Sequence, residues 1–343
     1  MKTHLNTLFV TLDGTYLAKD GQAVVVRQDK QTKLRVPLHN LDGIMCFGRV
    51  SVSPSLMGAC AAGGVSISFL TPYGKFLASV IGFSPGNVLL RRQQYRAADD
   101  DQLAASAARS IILGKLVNCR TVFRRAARDA TDPHRIERLQ ATANRLGANI
   151  IDVKAASNLD RLRGLEGEAA TSYFGAFNDL INTSDSAFEY TRRTKRPPKD
   201  PLNALLSFVY ALLSHDARSA CEAAGLDAAV GMLHRDRPGR PGMALDLMEE
   251  FRPFLADRLV LSLINRRQVS ASGFEYLETG AVRMDDSTRK TILVAYQVRK
   301  QEPITHPFLG ERTSVGLLIH LQARLMARWL RGDLETYPPF AWK

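Results

Sequence analysis

Apolar and polar positions follow two different rhythms along this chain. Up to residue 86 the apolar residues come in short runs, TLFVT, TYLAK, AVVVRQ, KLRVPL, GIMCF, VSISFL and FLASVIG. The runs are rich in β-branched and aromatic residues and alternate with turn signals such as Asp13-Gly14 and Asp20-Gly21, which predicts strands joined by tight turns. Residues 53–63 read as one short helix among them. Together they predict a small β-sandwich or meander with one helix. Ser84-Pro85-Gly86-Asn87 is a composition break and marks the expected boundary. Beyond it the period lengthens to that of a helix, over 87–98, 100–128, 133–157, 160–183, 201–224, 242–265, 286–300 and 312–332. The expected fold class is α+β: residues 1–86 form a β-sandwich-like domain and residues 87–343 a larger all-α domain. The chain shows neither an internal repeat nor a low-complexity tract.

Charge narrows the choice of partner. Lys and Arg number 46 against 34 Asp and Glu, a net charge of +12 that favours a polyanion, nucleic acid before a membrane surface. Arg192, Arg193, Lys195, Arg196 and Lys199, broken by Pro197-Pro198, form the sharpest basic run and read as a mobile loop between helices. Arg120, Arg124 and Arg128 recur every four residues, with Arg125 alongside, so they share one helical face. That face suits phosphates or plain solvent; the unneutralised run at 192–199 adds weight to the nucleic-acid reading.

Several chemistries are excluded by what is missing. No Gly-rich phosphate loop of the Walker type occurs, so nothing points to ATP hydrolysis. Neither a Ser-His-Asp nor a Cys-His signature is present, which leaves a metal-dependent mechanism as the economical choice. Cys46, Cys60, Cys119 and Cys221 are scattered and read as reduced core thiols. The opening MKTHLNTLFV lacks a signal-peptide core, and no apolar run approaches membrane-spanning length. The expectation is a cytoplasmic protein with no membrane partner. His215-Asp216 reads as a helix-end pair, His306 as a locally bonded turn histidine, Asp285-Asp286 as a helix cap, and Tyr95 and Tyr173 as core residues.

Two stretches carry the candidate chemistry. In GMLHRDRPGRPGMALDLMEEFRP, residues 231–253, His234 precedes an Arg/Pro/Gly-rich turn, and Asp246, Glu249 and Glu250 follow at three- and four-residue spacing that gives them one helical face. In GLEGEAATSYF, residues 164–174, Glu166 stands among Gly, Leu and Ala, where a buried carboxylate needs a partner. One imidazole with carboxylates from distant segments makes a mixed N/O donor set suited to Mn²⁺ or Mg²⁺.

With RRTKRPPKDPLNALLSFVYALL between them, these segments resemble, in order and spacing, the CRISPR-associated endonuclease/integrase family of spacer acquisition. The likeness runs from the β-rich start to the closing TYPPF. It implies Glu166, His234 and Glu249 as metal ligands and catalytic centre, with Asp246 as an accessory acid; the choice between Glu249 and Asp246 stays open. It also implies a homodimer built through the β-rich domains and a small companion CRISPR-associated adaptation protein. The substrates would be double-stranded and branched DNA, namely protospacer fragments and the CRISPR repeat. The expected activity is insertion of captured fragments as new spacers by 3′-hydroxyl attack on the repeat, with Arg192, Arg193, Lys195, Arg196, Arg120 and Arg124 on the DNA. The competing readings are a stand-alone metal-dependent nuclease on branched repair DNA and a non-catalytic basic DNA-binding scaffold.

Overall fold

A computed structural model describes residues 6–29, 31–72, 76–80, 82 and 88–342. The expected boundary at residues 84–87 lies outside them. The chain divides into two compact units, Met1–Gly86 with Tyr296–Glu302, and Asn87–Ala295 with Pro303–Lys343.

The first unit contains strands β1 (Asn6–Val10), β2 (Thr15–Asp20), β3 (Ala23–Gln28), β4 (Gln31–Pro37), β5 (Leu41–Phe47), β6 (Val50–Val52), β7 (Ser66–Leu70) and β8 (Phe76–Val80), with helix α1 (Pro54–Gly63) before β7. They form two four-stranded sheets, ordered β1-β5-β7-β8 and β4-β3-β2-β6. Alternation sends Leu17, Val24, Ile44, Cys46 and Ile67 into one core, closed by Leu56 and Cys60 of α1, all of them fully buried. Asp20-Gly21 makes the expected hairpin, with Gly21 at φ 58°. Asp13-Gly14 does not. Its carboxylate accepts the backbone N–H and Nε–H of Arg49, at 2.8 and 2.7 Å, and β1 runs parallel to β5 in the other sheet. The arrangement is therefore a mixed sandwich in which only β2, β3 and β4 form a meander.

The second unit is mainly helical: α2 (Val88–Asp99), α3 (Asp101–Asp129), α4 (Pro133–Ala155), α5 (Leu159–Gly175), α6 (Pro201–Ala223), α7 (Gly242–Glu249), α8 (Arg258–Asn265), α9 (Asp286–Gln301) and α10 (Leu318–Leu330). Four of the starts are written as caps. Asp100, Asp132, Asn158 and Asp200 each accept one or two N–H groups of the first turn that follows. Asp285 does the same for Thr288, as expected. The helix foreseen over 242–265 is divided by a wide π-helical turn at Arg252–Asp257. Pro253 lacks an N–H and its ring crowds the carbonyl four residues back, at Glu249, so the regular ladder cannot continue there.

The unit is not all-α. Strands β9 (Phe274–Tyr276) and β10 (Val282–Met284) pair antiparallel, as do β11 (Pro303–Thr305) and β12 (Arg312–Ser314). Three-residue strands are too short to show a period of two. Arg312–Ser314 occupies what the pattern assigned to the start of the last helix. All four cysteines are buried free thiols. Among the described residues no helix is long and apolar enough to cross a membrane.

Candidate active site

α3 packs against both α5 and α7, and its side facing them carries the charges. Lys115 sits on a part of α3 otherwise lined by the buried Ile111, Ile112, Leu116 and Cys119. Its Nζ donates to Glu166 Oε1 of α5 and lies 2.7 Å from Glu249 Oε2 of α7. Arg252 Nη2 stands 3.2 Å from the other oxygen of Glu249. Glu249 is almost fully enclosed, at 4% side-chain exposure against 28% for Glu166. Its Oε2 is buried and meets the Lys115 ammonium as an ion pair.

Electrostatics follow from this placement. Burial favours the neutral form of Glu249, but Arg252, Lys115 and His234 outweigh it and hold the carboxyl well below its ordinary range. Burial also pulls Lys115 down, yet Glu249 and Glu166 leave its ammonium above the ordinary value. The influence of His234 on Glu249 puts the imidazole within electrostatic reach of the carboxylate pair.

Asp246 fixes that imidazole. The loop before His234 crosses the start of α7 with backbone against backbone. A Cβ on Gly231 would meet Gly242 C at 2.7 Å, and one on Gly242 would meet the Ala229 carbonyl at 2.6 Å. So close a crossing turns three N–H groups onto one carboxylate: Met232 and Leu233 donate to Asp246 Oδ2 at 2.6 and 2.9 Å, and His234 to Oδ1 at 3.1 Å. His234 Nδ1 also meets Oδ1, at 2.6 Å. A carboxylate can only accept, so Nδ1 carries a proton toward Asp246 and Nε2 is the ring nitrogen left to meet another partner. Arg163 secures the loop from α5 by donating to the Leu233 carbonyl at 2.8 Å.

The structure thus brings Glu166 and Glu249 together on one ammonium, with His234 near enough to Glu249 to lower its carboxyl, while both oxygens of Asp246 are taken by the His234 loop. As they lie, no three His, Cys, Asp or Glu side chains among the described residues stand close enough to hold a metal ion. Glu250, next to Glu249, faces away and accepts from Tyr337, Gln322 and the Phe340 N–H. It anchors the closing TYPPF segment.

The basic residues divide. Arg192, Lys195, Arg196 and Arg124 are exposed. Lys195 also feels Glu249 and Lys115, and its ammonium is lowered first by burial and then by Arg252 and Arg193. Arg193 turns inward, donating to Thr194 O, Asn203 Oδ1 and Ser207 Oγ, with its guanidinium 5.5 Å from the Tyr210 ring centre. Asn203 also holds the Arg192 carbonyl and the Thr194 N–H. The run is therefore tied to the start of α6 rather than a loose loop. Arg120 is half-buried and packs its guanidinium against Gly147 of α4.

Sequence reasoning missed Lys115, Arg252 and Asp257. Asp257 accepts the hydroxyls of Tyr173 and Tyr210 at 2.9 and 2.6 Å, and Arg252 lies 4.8 Å from the Tyr210 ring centre. The one signal was a lysine inside the apolar IILGKLVNC, a position that needs a buried partner. Tyr95 is not core: it is 39% exposed and donates to Asp227 Oδ2 at 2.8 Å. His215 and Asp216 lie inside α6 rather than at its end. His306 bonds Phe308 and Leu309 N–H locally and Gln322 across the unit.

A β-rich first unit, a helical second unit and this charge seam define a known class. The profile of the family described as CRISPR associated protein Cas1 matches residues 8–298. The chain belongs to the Cas1 family. It is 52% identical over 343 residues, all of both chains, to a CRISPR-associated endonuclease Cas1 of Chlorobaculum tepidum. It is also 52% identical over 353 residues to one of Rhodospirillum rubrum, again over all of both chains. Among solved structures it is similar to a Cas1 protein from Thermotoga maritima, with TM-score 0.82, 23% identity, and 96% and 97% of the two chains covered. It also resembles a casposase bound to integration product, with TM-score 0.83, 20% identity, and 99% and 95% covered. A chain of a Cas6-RT-Cas1–Cas2 complex matches with TM-score 0.83 and 23% identity, covering all of this chain and 36% of that one.

Proposed function

We propose that this chain is a metal-dependent DNA endonuclease and integrase that inserts captured DNA fragments into a CRISPR array. The observation that carries the reading is the meeting of Glu166 and Glu249 on one cation, with the His234 ring held through Nδ1 by Asp246. The donor set fits a hard divalent ion such as Mg²⁺ or Mn²⁺: two carboxylates that meet on one cation, and an imidazole whose Nε2 is not taken by Asp246. Glu166, Glu249 and His234 would hold it, and Asp246 would orient His234. When bound, the ion supplies Lewis-acid stabilisation of charge growing on the scissile phosphate.

This chain's own residues do the rest. The exposed Arg192, Lys195, Arg196 and Arg124 provide positive potential for the DNA backbone. In integration the 3′-hydroxyl oxygen of the fragment bonds to a repeat phosphorus. The phosphorus–oxygen bond to the neighbouring nucleotide breaks, leaving a new 3′-hydroxyl, and the attacking proton passes to solvent. With water as nucleophile the same displacement is cleavage. No side chain need form a covalent bond. The partners in this reading are a second copy, joined through the β-rich unit, and a small companion of the Cas2 kind, named in the complex whose Cas1-like chain shares this fold.

The test is strand transfer on a supercoiled, repeat-bearing plasmid by purified protein with its companion, with Mn²⁺ or Mg²⁺ and with chelator. Joined products that vanish with chelator and in Glu166→Ala, His234→Ala and Glu249→Ala support the reading. Cleavage without joining points to a stand-alone nuclease, and neither activity to a DNA-binding scaffold.

A further inference from the structure

Lys115 is an unusual occupant for a site read as a metal centre. A lysine on an apolar stretch of a central helix is costly to bury unless its charge is met. Here it is met twice, by carboxylates carried on two other helices. The local balance is closed: Lys115 and Arg252 supply two positive charges, Glu166 and Glu249 two negative ones. A divalent ion added to this set would leave an excess of two positive charges in a poorly solvated pocket. One resident cation must give way, and the two are not equally able to.

Arg252 is confined, with its guanidinium against Tyr210 and its stem in the π-helical turn. Lys115 has a four-carbon stem and a compact ammonium that can rotate off either oxygen. The carboxylates also need it to move. With the ammonium between them, no three donors among the described residues stand close enough to hold an ion.

We propose that Lys115 is the protein's own occupant of the Glu166–Glu249 pair, a positioning residue that keeps both carboxylates aligned before metal binds and is exchanged out by the divalent ion. The proposal rests on the metal-centre reading above. Metal binding is then a swap of cations, and its affinity is set partly by the contact it must break. The apo protein keeps its three helices in register without metal, and the ligand set closes only when an ion competes successfully.

The experiment is a Mn²⁺ titration of the full-length protein, by calorimetry and by electron paramagnetic resonance of the unbound ion, with thermal unfolding alongside. Lys115→Met keeps a stem of similar length and removes the charge. It is expected to bind Mn²⁺ about tenfold more tightly or better than wild type, melt lower without metal, and recover most of that loss at saturating Mn²⁺. Lys115→Arg is expected to melt like wild type without metal but bind Mn²⁺ more weakly, since a planar guanidinium can grip both carboxylates. If Lys115→Met does not fold, Lys115→Gln, neutral but hydrogen-bonding, takes its place with the same expectation. A folded neutral variant with unchanged or weaker Mn²⁺ affinity overturns the exchange. Glu166→Gln and Glu249→Gln separate the two levels. If they lose Mn²⁺ binding while the neutral Lys115 variant gains none, only the exchange fails. If wild type binds no Mn²⁺, or these two bind as wild type does, the metal centre fails and the exchange with it.

Discussion

At the scale of single residues, Asp246 and Glu249 show how two acids three positions apart take different work. Asp246 is fully buried, and each of its oxygens already accepts two groups of the His234 loop. Glu249 instead has one oxygen against Arg252 and one against the mobile ammonium of Lys115, with no backbone N–H on either among the hydrogen bonds of the described residues. These surroundings support Glu249 as the ligand and Asp246 as the group that holds His234 in its tautomer. Asp246→Asn keeps the shape but puts a second donor where only acceptors fit. Its expected cost is about 10- to 100-fold in metal affinity, the usual effect of disturbing a group that orients a ligand. Glu249→Gln should abolish measurable binding and strand transfer together. A Mn²⁺ titration of both variants checks this; equal losses would erase the distinction. In the sequence, Glu166 stood out by its setting among Gly, Leu and Ala, while the choice of His234 and Glu249 came with the family resemblance. The sequence could not show Lys115 as part of the site, because a lone lysine on an apolar helix face reveals its role only once the helices it meets are known.

At the scale of elements, the longer strands and helices were readable from period and turn signals, since each is at least five residues long and most have a buried face; β4 and β8, at the sheet edges, have none. What failed was non-local or short. The parallel pairing of β1 with β5, and of β5 with β7, depends on segments about 20 to 35 residues apart in the chain. The π-helical turn was announced by Pro253 but not its consequence, which is that α8 starts offset and places Asp257 between Tyr173 and Tyr210. Burial raises the Asp257 carboxyl to about 6, against the two tyrosine hydroxyls and the nearby Arg252 and Arg193 that lower it. The unfolded value is about 3.9. Between those two pH values the folded protein binds the proton more tightly than the unfolded chain, so stability falls as pH rises through the window. Below it the contribution is fully present, and above it the loss is complete. Urea unfolding of wild type and Asp257→Asn from pH 4 to 6.5 isolates the term. The wild-type midpoint should decline relative to that of the variant, which has no proton to lose at this position. Parallel curves would show that Asp257 does not titrate there.

At the scale of the whole molecule, the net charge of +12 is resolved into distinct roles. Some cations are internal: Lys115 and Arg252 balance carboxylates, and Arg193 braces the segment before α6. Others, such as Arg192, Arg196 and Arg124, stay exposed. Composition could announce a polyanionic partner but could not sort these groups, because the sorting is done by packing. Integration places a further demand on the assembly, since the two ends of one fragment must join opposite strands of the repeat. Two sites at a fixed separation are needed, which in the proposed reading come from two copies joined through the β-rich unit. Removing that unit is a poor test, because the end of α9 and Glu302, residues 296–302, belong to it and would lose their packing. Its surface offers a better one. Leu34 on β4 and Leu77 on β8 are 46% and 57% exposed, each on a strand at the edge of its sheet, where unpaired backbone and apolar side chains invite a second chain. Leu34→Glu combined with Leu77→Glu should shift the protein from dimer to monomer in sedimentation velocity. Mn²⁺ affinity should stay at the wild-type value, since every proposed ligand lies in the helical unit. The ratio of two-ended to one-ended products on a plasmid target should then fall by about tenfold or more, leaving half-site joining. A variant that remains dimeric and keeps the wild-type product ratio would exclude these edges as the contact between copies.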